Sequence, residues 1–393
     1  MFAALAALVA FEVLVGAMPL SAEGGAPSTG MTSGPGGQAD RRAVPILHVI
    51  PADTTGQGLY EAACANCHGV AGTGLSPVRL GLEAAPANFT DCNFASREPN
   101  GDWVAVAHQG GPVRGFSDAM PAFGDALTVG ELEAVMGYIR TLCGDDDWPR
   151  GELNLPRAIF TEKAYPEDEA VFTADVTAEG ATAVAGEVVY EERFGKRSQL
   201  EVVVPFGTRE RAGGDGWTGG MGDIALGVKR DMYHSFEGGT IFSLAGEVIL
   251  PTGDEDDGFG SGTVIFEPFA SFGQILPAGA FAHAQVGLEL PWDMDRAENE
   301  AFWRGALGRT WQSGPWGRAW SPMVEVLGAR ALESGAETSW DLVPQLHVTL
   351  NTRQHVMLNV GVVVPVTDSD VRPTRLMAFI LWDWFDGGFF EGW

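Results

Sequence analysis

Two periodicities divide the chain. From residue 170 onward apolar and polar side chains alternate: in 199–206, Leu200, Val202, Val204 and Phe206 point one way while Gln199 and Glu201 point the other. The same pattern sets Ala282, Ala284, Val286, Leu288 and Leu290 against His283, Gln285 and Glu289. It sets Trp340, Leu342, Leu346, Val348 and Leu350 against Asp341, Gln345, His347 and Thr349, and Val356, Leu358, Val360, Val362 and Val364 against His355 and Asn359. Residues two apart on an extended strand share a face, so each run is a strand with one apolar and one polar side. About twelve such runs of roughly 9 to 13 residues fit between 170 and 393, divided alternately by short turns and longer acidic or Gly-rich loops.

Before residue 145 the period is helical. Leu59 and Ala63 share a face of 56–63, and 102–109 (DWVAVAHQ) closes on Gly110-Gly111. Thr128 and Glu131 have the spacing of a capping box, after which Leu132, Val135, Met136 and Ile139 recur at helical period. Segment 145–169, rich in acid and proline, has neither period and reads as a linker. Residues 1–22 are apolar apart from Glu12 and run into Gly, Ser, Pro and Ala, as an export signal followed by a flexible linker would; the alternative is an ordinary buried helix. The expected organisation is a signal over 1–22, a linker over 23–51, a helical domain over 52–144, a linker over 145–169 and a strand domain over 170–393.

Composition removes several classes. With 52 acidic against 24 basic side chains and a charge of −28, neither nucleic acid nor an anionic membrane surface is an expected partner. A content of 45% hydrophobic and 19% charged residues argues against disorder. No segment after the N-terminus reaches the roughly 18 uncharged apolar residues of a spanning helix, which excludes a helical membrane protein but not a barrel. Ten of the twelve tryptophans lie from Trp217 onward, near strand ends, as in interfacial girdles, and an even strand count closes without edges. The aromatic run Phe389-Phe390-Glu391-Gly392-Trp393 resembles the terminal signal of bacterial outer-membrane barrels. These features favour an outer-membrane barrel over a periplasmic β-sandwich.

Cys64-Ala65-Asn66-Cys67-His68 is the C-x-x-C-H pattern of covalent haem attachment: two thiols add to the haem vinyl groups and the next imidazole falls beneath the iron. A sixth ligand should be a thioether or an imidazole. Met120, in Ser117-Asp118-Ala119-Met120-Pro121-Ala122-Phe123, lies in a loop just before the last helix, where Pro121 forces extended backbone. Met136 sits at a helical core position, and His108 is the rival imidazole, read as a helix-end residue. Cys92 and Cys143 are left for each other. In an oxidising periplasm their bridge would close a loop of about 50 residues, worth roughly 4 kcal/mol; the alternative is two free buried thiols.

Residues 52–144 resemble a small class I c-type cytochrome, through GxxLYxxxCxxCHG, the helix at Trp103, Ala119-Met120-Pro121-Ala122-Phe123 and the terminal helix ending Tyr138-Ile139-Arg140-Thr141-Leu142. The resemblance implies one covalent haem c on Cys64 and Cys67, with His68 proximal and Met120 distal. It also implies that the carbonyl of Pro77 orients the His68 ring. A six-coordinate iron favours electron transfer over catalysis, so no catalytic residue is expected. Ten acidic residues against four arginines in 52–144 point to a periplasmic redox partner with a basic face.

The second half, through Arg193-Phe194-Gly195-Lys196-Arg197-Ser198-Gln199-Leu200-Glu201, Gly222-Asp223-Ile224-Ala225-Leu226-Gly227-Val228-Lys229 and Leu250-Pro251-Thr252-Gly253-Asp254, resembles the outer-membrane channel family associated with aromatic-compound degradation loci. The fusion is also similar to cytochrome-porin iron oxidases. The expected fold class is therefore multidomain: an all-α class I cytochrome c domain followed by an antiparallel β-barrel of about twelve strands in a Gram-negative outer membrane. The expected function is a haem c electron carrier tethered there, with the cytochrome periplasmic and lipid around the barrel. The alternatives are a cytochrome-porin oxidising an external donor such as ferrous iron, or a solute channel with a haem redox sensor. Inward-facing Glu201, His283, Gln285, Glu289, Asp341, Gln345 and His347 line either a cation-friendly path or an ordinary polar interior. The acidic loop 253–258 lacks EF-hand spacing and reads as solvated rather than as a calcium site.

Overall fold

The computed structural model describes residues 53–177, 183–211 and 216–384. The expected signal over 1–22, the linker over 23–51 and the aromatic run at 389–393 lie outside the described residues. Six α-helices precede the strands among the described residues: α1 Gly56–Ala63, α2 Ala65–His68, α3 Pro77–Leu80, α4 Cys92–Arg97, α5 Asn100–Gln109 and α6 Val129–Thr141. The capping box at α6 is formed, with the Thr128 side chain accepting from the Glu131 N–H and the Glu131 carboxylate accepting from the Thr128 N–H. Leu132, Val135, Met136 and Ile139 pack from α6 onto Leu59 and Tyr60 of α1 and Val104 and Ala107 of α5, which forms one small core. Arg140 ties α6 to the α4–α5 junction, donating to the Glu98 carbonyl at 2.6 Å and lying 4.1 Å over the Trp103 ring. Burial lowers its pKa to about 10. Cys92 and Cys143 form a disulfide with Cα atoms 5.0 Å apart, which fastens α4 to the chain just beyond α6.

The alternating half closes into a barrel of twelve long strands: β1 Glu169–Thr177, β2 Ala183–Phe194, β3 Ser198–Glu210, β4 Ile224–Ser235, β5 Thr240–Leu250, β6 Ile265–Ile275, β7 Ala280–Pro291, β8 Glu300–Arg309, β9 Ala319–Ala331, β10 Ser339–Thr349, β11 Val356–Pro365 and β12 Arg375–Asp383. Each pairs antiparallel with its sequence neighbour, and β1 pairs with β12 from Glu169 opposite Asp383 to Thr177 opposite Arg375. Two short strands, Trp217–Met221 and Trp311–Gln312, extend hairpins at opposite rims. Leu200, Val228, Leu244, Phe266, Val286, Leu307 and Leu376 are exposed on the outer wall, while Gln199, Ser243, Gln285 and Gln345 are buried in the lumen. An apolar exterior around a polar interior is what a lipid-spanning barrel requires, and this one lies in the outer membrane.

The segment expected to be a plain linker is not an extended tether. After a short 3₁₀ turn, Gly151–Leu153, it threads the lumen, and the polar inward positions of the strands hold it. Glu325 accepts the N–H groups of Ile159 (3.0 Å), Phe160 (3.2 Å) and Thr161 (2.7 Å), and Gln285 accepts that of Glu162 at 3.2 Å. His283 Nε2 lies 3.0 Å from the Pro156 carbonyl, Asn359 donates to the Arg157 carbonyl at 3.2 Å, and Arg304 donates to that of Phe160 at 3.0 Å. A segment without internal pairing buries its backbone only where side chains satisfy it, and here the strands supply them. Arg157 meets Glu169 at 2.8 Å, Glu162 at 3.0 Å and Glu191 at 3.1 Å, and Lys163 meets Glu169 at 2.9 Å.

At Glu169 and Glu191 these cations answer a repulsion built into the register. Glu169 stands opposite Glu191, Glu191 opposite Glu201, Glu247 opposite Glu267, and Glu289 opposite Glu300. Like charges facing across strands destabilise a sheet unless cations lie between them.

The helical domain sits against the rim carrying the short turns, 195–197, 236–239 and 276–279. Arg97 pairs with Asp168 at 2.6 Å, with both side chains almost wholly buried, and Lys196 pairs with Asp145 at 2.7 Å. His355 bridges Glu98 of the helical domain, at 3.2 Å, and Asp383 of β12. A cavity of about 330 Å³, bordered by Glu98, Leu155, His347, Arg353 and Leu381, remains where the domain meets the lumen.

Candidate haem site

The single-turn helix α2, with Cys64 at its N-cap, carries Cys67 and His68 at its end, with backbone bonds from His68 N to Cys64 O (2.9 Å) and from Gly69 N to Ala65 O (2.9 Å). Gly69 then takes φ +76°, a conformation that releases the chain from the helix and favours glycine. The buried Tyr60 donates its hydroxyl to the Gly69 carbonyl at 2.7 Å, pinning the exit of the motif to α1; burial raises that phenol to about 12.

The residues fit a haem. The Cys64 and Cys67 thiols are half-buried and not bonded to each other, and burial raises Cys64 to about 11, so it is a neutral thiol. His68 packs 4.6 Å from the Phe89 ring, nearly parallel to it, and burial lowers its pKa, which favours the neutral imidazole that binds iron. Its Nδ1 lies 3.2 Å from the Ala87 carbonyl. With Nδ1–H donated there, Nε2 would be the nitrogen available to a metal.

The partner of His68 corrects the expectation for Pro77. The Pro77 carbonyl accepts instead from the N–H groups of Gly81 and Leu82 at the end of α3, so it is occupied by its own turn. Ala87 follows Pro86, the other proline of the same long loop, and no local feature of the sequence ranks one proline above the other. Phe89 and Tyr60 complete the cradle; aromatic residues near a C-x-x-C-H motif were its only sequence signal.

Met120 is half-buried. Its carbonyl accepts from Gly111 N at 3.0 Å, and its N–H donates to Ser117 O at 3.2 Å. Gly110, at φ +85°, leaves no room for a side chain, since a Cβ there would fall 3.0 Å from the Met120 carbonyl. Met136 belongs to the core, as its helical position implied. His108 lies against the Trp316 ring of the barrel, 5.5 Å between centroids, which makes it an interface residue.

Of the inward-facing set, His283, Gln285 and Gln345 hold the lumen segment, and His347 is buried beside the cavity. Asp341 is paired with Arg372 at 2.5 Å. Glu162, Glu191 and Glu201 bring one carboxylate oxygen each within 4.8 Å of one another. In the acidic loop, Glu255 pairs with Arg296.

Comparison with known proteins agrees with this division. Residues 51–139 match the family described as "Cytochrome C oxidase, cbb3-type, subunit III", a c-type cytochrome, and residues 165–362 match that described as "Putative MetA-pathway of phenol degradation". No curated protein matches. Among solved structures, an outer membrane channel from Pseudomonas putida F1 is similar at 13% identity and a TM-score of 0.43, covering 58% of this chain and 99% of that one. The KdgM porin in complex with disordered oligogalacturonate is similar at 7% identity and a TM-score of 0.38, covering 55% and 98%. With a cytochrome domain preceding a closed barrel, and the second family matching half of the whole chain, this chain belongs to the MetA-pathway phenol-degradation family, as a cytochrome–barrel fusion.

Proposed function

We propose that the chain is an electron-transfer protein of the outer membrane, carrying one haem c bound through Cys64 and Cys67 and exchanging single electrons with a periplasmic partner. The observation that carries this reading is His68, set at the end of a C-x-x-C-H turn with its Nδ1 held by the Ala87 carbonyl. A bound haem supplies reversible one-electron iron chemistry. His68 and Met120 would be the residues that hold the iron, and Tyr60, Phe89 and the α6 core would keep water from it. His and Met together raise the potential relative to harder donors.

The cytochrome belongs on the periplasmic side. An even-stranded barrel with short periplasmic turns returns both ends to that face, and the helical domain packs on the rim bearing the short turns. The ten acidic residues of 52–144 favour a partner with a basic face. Protease added to intact cells is expected to leave the haem-stained domain whole, and protease added after permeabilisation to remove it. Removal from intact cells would refute this topology.

A second reading is favoured by the glutamate row in the lumen: a cytochrome-porin admitting a cationic donor such as ferrous iron, since rings of acidic side chains select cations. In sealed liposomes carrying the protein, haem reduction by external ferrous iron would favour this reading, and an unresponsive haem would exclude it.

A further inference from the structure

We infer that Trp316, a barrel residue, is a positioning residue for the distal ligand Met120, so that the barrel sets the ligation of the haem. The inference rests on the proposal that Met120 is that ligand.

Trp316 sits in the turn between β8 and β9, far along the chain from the haem motif, yet it packs against the core of the helical domain. Its ring meets His108 at 5.5 Å, and its carbonyl accepts from Arg114 at 2.8 Å. Arg114 is buried and also donates to Asp102 at 2.8 Å. The neighbouring turn braces this one: Gln354 donates to the Gly317 carbonyl at 3.1 Å and Arg318 to the Leu350 carbonyl at 3.2 Å. Arg353 lies 4.7 Å over the Phe116 ring. Two tied barrel turns thus grip His108, Arg114 and Phe116.

Those residues begin the loop that carries Met120. Gly111 N donates to Met120 O (3.0 Å), Phe116 N to Gly111 O (3.0 Å), Phe123 N to Ala107 O (2.9 Å) and Gly124 N to His108 O (2.9 Å). Both flanks of the loop are therefore hooked to the end of α5, while Ser117, Asp118 and Ala119 at its tip are exposed. A thioether is a weak donor, and it stays on iron only while its loop is held in place. Trp316 holds His108 and Arg114, and the His108 carbonyl anchors the far flank of the loop at Gly124.

The test uses the full, haem-loaded chain in detergent, with heat-modifiable migration showing that the barrel is folded. In Trp316→Ala the ferric thioether-to-iron charge-transfer band should weaken and carbon monoxide should bind the reduced protein about tenfold faster, as expected from losing an aromatic anchor. Trp316→Phe should restore both signals. The double variant Lys196→Ala with Arg197→Ala loosens the same interface away from the Met120 loop and should leave both signals as in the parent. An unchanged spectrum and carbon monoxide rate in a folded Trp316→Ala barrel would overturn the inference, as would an equal effect from the double variant. Fast carbon monoxide binding by the parent would instead overturn Met120 as ligand, and the inference with it.

Discussion

Removing residues 155–163 is expected to raise single-channel conductance in planar bilayers by on the order of tenfold or more, because a twelve-strand barrel has a lumen wide enough to conduct once nothing fills it. The segment is held by inward side chains of the strands: Glu325 alone accepts three consecutive backbone N–H groups. The channel so opened should prefer cations, since Glu169 and Glu191 then lose Arg157 and Lys163 as counter-charges in a lumen that also carries Glu201, Glu247, Glu267, Glu289 and Glu300. Arg157→Ala should reproduce part of the effect. Taking one partner from a buried charge cluster costs about 3–5 kcal/mol, and Glu191 would lose its guanidinium while still facing Glu169 and Glu201. A deletion that conducts no better than the parent would show that the segment does not seal the lumen.

Met120→Ala is expected to produce the largest change at the haem. Loss of a thioether that favours the ferrous iron by about 2–3 kcal/mol lowers the midpoint potential by on the order of 100 mV, and the open position binds carbon monoxide rapidly after reduction. Attachment through Cys64 and Cys67 should be unaffected, so haem staining on denaturing gels would persist. A parent that already binds carbon monoxide quickly, with no fall in potential in the variant, would assign the sixth position to something other than Met120.

Much of the fold was legible because it depends on near neighbours. Helix α1 spans the eight residues that the Leu59–Ala63 spacing indicated, and the Thr128–Glu131 box caps α6. The alternation of 199–206 and 281–290 places Leu200 and Val286 outside and Gln199 and Gln285 inside. Misreadings came where the partner lies far along the chain. Pro77 and Pro86 are equivalent as sequence, and only the path of their loop brings the Ala87 carbonyl to His68. Segment 145–169 lacks periodicity because its hydrogen bonds go to strands more than a hundred residues away, such as Glu325 on β9 and Gln285 on β7.

The sequence by itself determined the C-x-x-C-H spacing, the strand faces and the division into helical and alternating halves, since each is set by spacings of one to four residues. Tertiary structure decided which residues meet. The register of a closed barrel aligns Glu169, Glu191 and Glu201 across three strands, and Arg157 and Lys163 of the threaded segment pair with the first two of that like-charge row. It also brings Trp316 against His108, because closure between β1 and β12 fixes where every turn of the rim stands relative to the domain packed on it. Such contacts arise from the geometry of closure, and no local pattern of apolar and polar residues encodes them.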